Sequence, residues 1–421
     1  MASDDAIRQA AEQLLRRNLR RGVSPFDGQP YCYSAPSPAT YRHQFFWDSC
    51  FHAIVWAHFD PEQAKEELRS LLRAQDADGR IPHRIAWDRR GVLPRAVSRR
   101  WRAALHPVRS QLVGPPVLAT AIERVYERCG DASFLAEALP AADRFYSWLA
   151  RCRDPDGDGL VSIIHPYESG LDHKPSYDAV FGLRRAPATA TVLAAKAVDG
   201  WNRLLNFNRS LIFRLDRFNV VDAGFNCIYA QALASLSRLW TELGDHAKAE
   251  AWRERARRVE QAVLSKCLHD DGLYYDLYSR RQTKALVKTV TCLFPLLLDS
   301  IEPAAAERLV REHLLDGDAF WLPYPVPTVS ASEAAFSPGF VSSFASGLWR
   351  GPTCIAANWL LVQGLRKHGF ADVAGTIVER TRRLVELGGF RECYNPLTGQ
   401  PYGAESFGWS TLIVDMLDGP G

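Results

Sequence analysis

The sequence lacks any long uninterrupted apolar run, and none of its stretches approaches the roughly 18 consecutive apolar residues that a membrane-spanning helix needs. The first 21 residues carry Asp4, Asp5 and Glu12 among scattered apolar residues, so they form no apolar core of a secretory signal. We therefore expect a soluble, cytoplasmic protein that has no membrane partner.

Cysteine pairs and several catalytic motifs are also missing. The nine cysteines are widely spaced, odd in number and without a C-x-x-C pair, which indicates neither a disulfide framework nor a zinc site. No phosphate-binding glycine loop, G-x-S-x-G or H-E-x-x-H motif occurs. Nucleotide enzymes, serine hydrolases and zinc proteases are therefore unsupported, and we expect no metal and no cofactor.

One segment imitates a calcium loop. Residues 154–159 resemble the start of an EF-hand, but His165 stands where the loop needs a bidentate glutamate. An Asx-rich turn that ends a helix is favoured, and cation binding at this turn is left open.

A strong net charge of either sign is absent, because 51 lysines and arginines oppose 48 acids and leave only +3. Residues 84–109 nevertheless carry +7, so the rest of the chain carries −4. A nucleic-acid binder is usually basic over a whole face or domain, so no nucleic-acid partner is expected. The basic segment fits a small anion or a solvated loop. Its arginines are Arg84, Arg89, Arg90, Arg95, Arg99, Arg100, Arg102 and Arg109.

Helical periodicity is abundant. In residues 61–75 the apolar side chains recur every three to four positions, and Asp60 followed by Pro61 predicts the helix start. Gly244 predicts a helix stop. The same periodicity predicts helices at 223–244, 245–267, 301–315 and 370–387. About a dozen helices and few strands are expected.

Turns rich in Asp and Gly recur between the helices, each followed by an irregular aromatic stretch. They lie roughly 80 to 115 residues apart, which is typical of helical hairpins in series. Six such hairpins in a ring bury both helix layers and leave loops at one end to form a cavity. We therefore predict an all-α (α/α)6 toroid that forms a single domain over residues 1–421. The turns lie at 76–79, 154–159, 270–272 and 388–389.

Two of the long loops concentrate carboxylates and aromatic rings. Residues 165–178 hold three acids, two histidines and two tyrosines, and residues 390–409 again mix carboxylates with aromatic side chains. Glycosidic hydrolysis needs one carboxyl group to protonate the leaving oxygen and a second to activate water or attack the anomeric carbon. Helix caps that pair with arginines explain the same acids equally well.

Three shorter loops carry residues that suit a sugar. Trp47 and Asp48 would give a stacking platform and a hydroxyl acceptor, although a core tryptophan and a helix cap fit as well. His83 alone is more typical of a structural histidine. Trp349 and Arg350 would face a cavity. Equally, Trp349 would be a buried core ring and Arg350 a surface residue.

Taken in order, these loops resemble the (α/α)6-barrel glycosidases of glycoside hydrolase family 63, above all the short branch of mannosylglycerate and glucosylglycerate hydrolases. The resemblance covers most of the chain. It rests on Phe46-Trp47-Asp48-Ser49, Ile81-Pro82-His83, 165–172, Trp349-Arg350-Gly351-Pro352-Thr353, 392–396, Thr398-Gly399 and Phe407-Gly408-Trp409.

The resemblance implies two catalytic residues. Asp172 matches the general acid of the family and Glu392 matches the general base, with Glu405 as the fallback base. It also implies inversion of the anomeric centre, for which the two carboxyl groups stand about 6.5–9.5 Å apart. Asp172 should then be protonated, in a poorly solvated place or close to Glu168.

The expected substrate is a small α-glycoside with an acidic aglycone, mannosylglycerate or glucosylglycerate. The aglycone carboxylate is expected at Arg89, Arg90, Arg95, Arg99 or Arg100. A neutral α-glucosidase of trehalase type, a sugar epimerase or isomerase on the same barrel, and a homo-oligomer stay open. The substrate-binding candidates are Trp47, Asp48, His83, Gln111, Tyr167, Glu168, Tyr177, Trp349, Arg350, Tyr394 and Trp409.

Overall fold

Helices make up most of the computed structural model, which describes residues 3–89, 108–183, 188–339 and 349–418. Four of the arginines expected at the aglycone lie outside the described residues, namely Arg90, Arg95, Arg99 and Arg100. Arg102 of the same basic segment lies outside them as well.

Fourteen α-helices are assigned within the described residues. They are α1 (Asp4–Asn18), α2 (Phe46–Trp56), α3 (Pro61–Arg73), α4 (Leu118–Cys129), α5 (Ala132–Arg153), α6 (Ser176–Val180), α7 (Ala188–Leu204), α8 (Arg209–Leu215), α9 (Ala223–Glu242), α10 (His246–Ala262), α11 (Pro303–Arg308), α12 (Ile355–Lys367), α13 (Ala371–Gly388) and α14 (Ile413–Asp418). Two 3-10 helices, Val290–Leu297 and Gly408–Leu412, lie among these α-helices along the chain.

Six helical segments of the described chain close an inner ring. They follow one another in the order α2, α4, α9, Val290–Leu297, α12 and Gly408–Leu412, and the last of them packs against α2 again. An outer layer covers them: α3 on α2, α5 on α4, α10 on α9, the helical segment Leu309–Leu314 on Val290–Leu297, α13 on α12, and α1 on Gly408–Leu412. This arrangement confirms the predicted (α/α)6 toroid. The single domain stays a prediction.

Local sequence explains the start and the burial of these helices. The Asp60 carboxylate accepts a hydrogen bond from the backbone of Gln63, and Pro61 occupies the first turn of α3, as predicted. Helix α9 is buried on nearly every face because it lies in the inner ring, and Gly244 stops it in a left-handed conformation with φ +77°. The outer helix α10 buries one stripe that includes Trp252 and Val259.

Two predicted helices differ from the observed ones in detail. The prediction over 245–267 is met by α10, which continues as a π-helical turn, Val263–Cys267. The helix predicted over 301–315 begins at Pro303, because this proline occupies the first turn of α11. The second half of the predicted helix is again π-helical, Leu309–Leu314. Both changes keep the helical path and alter only its winding.

Short antiparallel strands join the loops. They are β1 (Leu19–Val23), β2 (Pro30–Ser34), β3 (Gln44–Phe45), β4 (Arg84–Ile85), β5 (Val220–Val221), β6 (Leu277–Tyr278), β7 (Thr283–Lys284), β8 (Arg391–Tyr394) and β9 (Pro401–Glu405). The pairs are β1 with β2, β3 with β4, β5 with β6 with β7, and β8 with β9. In the described ranges, no helix combines the length and the apolar character needed to cross a bilayer.

The turn at 154–159 folds as an Asx-rich helix end. The Asp154 carboxylate accepts hydrogen bonds from the backbone N–H groups of Asp158 and Gly159. Asp158 in turn forms an ion pair of 2.5 Å with Lys266. Within the described part of the chain, no group of three or more His, Cys, Asp or Glu side chains is arranged to hold a metal ion.

Candidate active site

Two adjoining cavities open where the inner-ring helices begin. The inner cavity, of about 90 Å³, lies against the first turn of α2 and the segment Gly408–Leu412. The outer cavity, of about 630 Å³, lies above it. Both cavities are lined by Tyr41, Phe45, His83, Asp172, Trp349 and Glu392. The two carboxylates implied as acid and base therefore share one site.

Glu392 is held by the hairpin of β8 and β9. The strand register is irregular between Arg391 and Cys393, and such a bulge turns the side chain that it contains. Gly403 on β9 has φ +70°, and a Cβ there would lie 2.5 Å from Glu392 Oε2, so only glycine fits against the carboxylate. The backbone carbonyl of Glu392 accepts a hydrogen bond from Trp409 Nε1 at 3.1 Å.

The Glu392 carboxylate has a defined hydrogen-bond environment. Tyr41 donates its hydroxyl to Oε1 at 3.0 Å, and the backbone N–H of Ala404 donates to Oε2 at 2.8 Å. Burial raises the pKa of Glu392 above its ordinary value, and the bonds from Ala404 and Tyr41 oppose that rise. The side chain is 5 % exposed, so the carboxylate meets solvent only through the cavity.

Asp172 lies on the loop between α5 and α6. Gly170, two residues before it, has φ +74°, and a Cβ there would lie 2.6 Å from the Trp47 ring. This close packing fixes the loop against the start of α2. Burial raises the pKa of Asp172 to about 7, and the charges of Glu392 and Asp48 add to that rise. The poorly solvated environment expected for Asp172 is therefore present, but Glu168 is not its cause.

A buried lysine, Lys174, holds the acid loop, which is the part of the chain between α5 and α6 that carries Asp172. Lys174 Nζ lies 2.5 Å from Asp222 and 2.8 Å from Asp276, and none of the three side chains is more than 3 % exposed. Burial opposes the lysine charge, but the two carboxylates outweigh it and hold the pKa of Lys174 above its ordinary value. Since Lys174 is two residues from Asp172, this ion-pair cluster fixes the position of the loop that carries Asp172.

Aromatic rings and a third carboxylate line the inner cavity. Trp409 packs against Trp47 at 5.4 Å, against Phe407 at 4.4 Å and against Trp349 at 5.9 Å between ring centroids. Asp48 is 4 % exposed and lies in the first turn of α2, and burial raises its pKa to about 7 although the nearby His52 opposes the rise. Flat rings beside a buried carboxyl group suit the apolar faces and the hydroxyls of a sugar.

The lining of the outer cavity includes two arginines and the carboxylate of Asp199. Arg84, placed by the pairing of β4 with β3, and Arg203 of α7 both line it. Arg203 also forms an ion pair of 2.8 Å with Asp199. Tyr167 also lines the outer cavity, and its ring centroid lies 4.5 Å from that of His165 and 5.6 Å from that of His173.

The structure brings eight of the expected residues to the cavities. They are Asp172, Glu392, Trp47, Asp48, His83, Tyr167, Trp349 and Trp409. Burial, together with the charge of Arg84, lowers the pKa of His83 to about 3, so its imidazole is neutral in the site. His165 is buried, and its ring Nε2 lies 3.1 Å from the backbone oxygen of Ala195.

Two expected binding residues line neither cavity. Glu168 is fully buried and forms a 2.5 Å ion pair with Arg153, and it also accepts backbone hydrogen bonds from Val113 and Ile164. The Tyr177 hydroxyl donates to Asp222 at 2.6 Å. Their polar atoms are thus already occupied inside the protein.

Arg350 and Tyr394 also line neither cavity, and their polar atoms have partners inside the protein. Arg350 donates to both carboxylate oxygens of Asp178, at 3.0 and 2.5 Å, and is 4 % exposed. The hydroxyl of the fully buried Tyr394 donates to the backbone oxygen of Gly389 at 2.5 Å.

Three more expected residues lie away from both cavities. Glu405 points away from the cavities because alternate residues of β9 lie on opposite sides of the hairpin. Its side chain is 78 % exposed and forms an ion pair with Arg391. Gln111 lines a separate cavity beside Trp148 and Arg80. Arg89 is exposed and lines neither cavity.

Some functional candidates carry no sequence signal of their own. Tyr41 reaches Glu392 across 351 positions of the chain, so no local motif links the two. Phe45, which packs edge-on against Tyr41 and His83, precedes the quoted Phe46-Trp47-Asp48-Ser49 motif by one residue. Arg203 lies in a helix without a motif, and only the clustering of arginines draws attention to Arg84.

Comparison with known proteins identifies relatives along nearly the whole chain. The mannosylglycerate hydrolase of Thermus thermophilus is 30 % identical, over 96 % of this chain and 98 % of the relative. The glucosylglycerate hydrolase of Mycolicibacterium hassiacum is 27 % identical, over 90 % of this chain and 92 % of the relative.

A solved structure agrees with the fold and with these relatives. A glycoside hydrolase family 63 mannosylglycerate hydrolase, also from Thermus thermophilus and in complex with Tris and D-glycerate, superposes with a TM-score of 0.83. It is 29 % identical, and the match covers 98 % of this chain and all of that one. Residues 41–410 match the family described as the mannosylglycerate hydrolase MGH1-like glycoside hydrolase domain, so this chain belongs to that family and is a glycoside hydrolase.

Proposed function

We propose that this enzyme hydrolyses a small α-glycoside with a carboxylate-bearing aglycone, mannosylglycerate or glucosylglycerate, with inversion of the anomeric centre. One observation carries the proposal: Asp172, with its pKa raised to about 7, lines the same small aromatic cavity as the hydrogen-bonded carboxylate of Glu392. A protonated and an ionised carboxyl group in one site are what acid and base catalysis of glycoside hydrolysis requires.

The reaction follows from these two roles. Asp172 donates its proton to the glycosidic oxygen while Glu392 removes a proton from water. The water oxygen bonds to the anomeric carbon as the bond to the glycosidic oxygen breaks, which yields the free sugar and glycerate. No covalent intermediate forms, so the anomeric configuration inverts in a single displacement.

Hydrogen bonds support the base role of Glu392. The donors Tyr41 and Ala404 hold its two carboxylate oxygens and favour the ionised form, and they oppose the effect of burial. Tyr41 therefore acts as a positioning residue for the base.

The aglycone is placed by charge. Arg84 and Arg203 line the outer cavity, where a glycerate carboxylate would lie if the sugar ring occupies the inner one. Arginine is suited to bidentate carboxylate recognition. The related enzyme that contains D-glycerate supports this substrate class.

Arg84→Met should raise KM for mannosylglycerate or glucosylglycerate by about 10- to 100-fold, because a hydrogen bond to a charged group contributes about 1.5–3 kcal/mol. Michaelis constants measured for an acidic and a neutral α-glycoside check this. Arg89→Met is the matched control, since Arg89 lies nearby but outside the cavity lining. An equal rise for the neutral glycoside would contradict recognition of the carboxylate by Arg84.

The pH profile of kcat/KM should be bell-shaped. Asp172 must be protonated, so activity falls as the pH rises through about 7. Glu392 must be ionised, so activity also falls as the pH drops through the raised pKa of that carboxyl group. Initial rates across the pH range test both limbs, and activity that stays constant well above pH 7 would contradict the acid role of Asp172.

The substrate itself is tested with a panel of mannosylglycerate, glucosylglycerate and trehalose. We expect release of sugar and glycerate from one or both of the acidic glycosides. Activity on trehalose together with none on the acidic glycosides would favour a neutral α-glucosidase. Formation of an epimerised sugar without hydrolysis would contradict the proposal.

A further inference from the structure

A further cavity, the far-end cavity, lies at the opposite end of the inner ring from the active site. Its volume is about 330 Å³, at the lower end of the range for ligand pockets. Its walls come mainly from the middle and second halves of α4, α9 and α12 and from α14. Since the active site lies where the inner helices begin, the two cavities are separated by the barrel interior and share no lining residue.

The walls of the far-end cavity are charged but balanced. Four cationic side chains and four carboxylates line it, so the lining has no net formal charge. Most of these groups are already paired: Arg238 donates to Glu123 at 2.9 Å, and Arg124 to Glu127 at 3.2 Å. An anion would face four carboxylates and a cation would face four cationic groups, so a neutral ligand suits the cavity best.

Two amide groups, one on α9 and one on α12, bring unused hydrogen-bonding capacity to the lining of the far-end cavity. Gln231 of α9 is 7 % exposed, and its Oε1 has no partner among the described residues. Gln363 of α12 accepts a bond from Arg124 at 3.1 Å, whereas its Nε2 has no partner within the same residues. Buried polar atoms are normally satisfied by protein, water or ligand. Hydroxyl groups both donate and accept, so the hydroxyls of one ligand suit an unpartnered amide oxygen and an unpartnered amide nitrogen in the same cavity.

We propose that the far-end cavity binds a small neutral polyol, of the size of a monosaccharide or glycerol. Its hydroxyls satisfy the amides of Gln231 and Gln363 and the charged groups around them. Its C–H faces lie on the apolar part of the lining, which includes Ala234 and Val362. This site is independent of which glycoside the active site cleaves.

The test is NMR of the full-length enzyme labelled with ¹⁵N-glutamine, in which the side-chain amide signals are followed. The Gln231→Leu and Gln363→Leu variants assign the two signals by their disappearance. The probes are D-mannose, D-glucose and glycerol, with D-glycerate as the charged counterpart. We expect saturable shifts of both signals with at least one polyol and none with D-glycerate. Gln231→Leu should abolish the shift of the Gln363 signal.

Three results would overturn the proposal. Signals that stay unmoved at the highest soluble polyol concentration would mean that the cavity holds only water. Shifts that D-glycerate reproduces would contradict the preference for a neutral ligand. Shifts that disappear in Asp172→Asn would originate at the active site. Circular dichroism of each variant verifies folding, and the reciprocal Gln363→Leu variant, read on the Gln231 signal, keeps the test decisive if Gln231→Leu misfolds.

Discussion

Replacing Glu392 with glutamine is expected to lower kcat by a factor of about 10²–10⁴, the range that a positioned general base contributes. Glutamine keeps the shape of the side chain, and its single amide oxygen still accepts a hydrogen bond from either Tyr41 or the backbone of Ala404, so the fold and substrate binding should persist. The matched control is Glu405→Gln on the same hairpin, whose exposed carboxylate lies outside both cavities, and its kcat should stay unchanged. Steady-state kinetics of both variants checks the assignment.

Asp172→Asn should cause a loss of similar size, but the two losses should respond differently to the leaving group. An acid catalyst matters less when the departing oxygen is a weak base. A glycoside with a more acidic aglycone should therefore restore much of the activity of Asp172→Asn and little of the activity of Glu392→Gln. Equal behaviour of the two variants on both substrates would contradict separate acid and base roles, and a large loss in Glu405→Gln would move the base role to Glu405.

Lys174→Met should destabilise the protein by about 3–5 kcal/mol, because removing one partner of a buried ion-pair cluster leaves uncompensated charge. Asp222 and Asp276 would remain close together, almost fully buried and without their shared cation. The matched control is Lys248→Met, which removes two ion pairs of 3.8 Å from a lysine that is 47 % exposed and should cost at most about 1 kcal/mol. The free energy of unfolding from urea denaturation compares the two variants.

A second substitution separates charge from lost packing. Combining Lys174→Met with Asp276→Asn removes one of the two facing carboxylates, so the double variant should be less destabilised than the sum of the single ones. Equal costs for Lys174→Met and Lys248→Met would contradict the anchoring role of the cluster.

Local features of the fold could be predicted from the sequence. The start of α3 at Pro61 and the stop of α9 at Gly244 depend on residues beside them, and both are confirmed. The π-helical turns after α10 and α11 could not be predicted, because their winding depends on packing against the inner ring rather than on periodicity.

The site was predictable in part. The acid loop holds three carboxylates in a few residues, and its sequence alone cannot tell which one faces the cavity. Which carboxylate faces the cavity depends on two distant arginines. Arg153 forms a buried ion pair with Glu168, and Arg350 forms an ion pair with Asp178. The resemblance to family 63 implies Asp172 as the acid, and of the three carboxylates only Asp172 lines the two cavities.

The remaining site residues could not be predicted, because their roles depend on contacts between distant parts of the chain. Tyr41 meets Glu392 only because the inner ring closes on itself, which no spacing along the sequence reveals. Tyr177 and Tyr394 look like sugar-binding residues in irregular aromatic loops, yet their hydroxyls find partners inside the protein. Arg203 was missed for the opposite reason, since a charged residue in a helix resembles any solvated face.

The most direct test of the central claim is the anomeric configuration of the first product, followed by ¹H NMR early in the hydrolysis of mannosylglycerate or glucosylglycerate. If Asp172 and Glu392 act as acid and base in a single displacement, the β-anomer of the sugar appears first and the α-anomer grows in only by mutarotation. Initial release of the α-anomer would require a covalent intermediate and would contradict the mechanism.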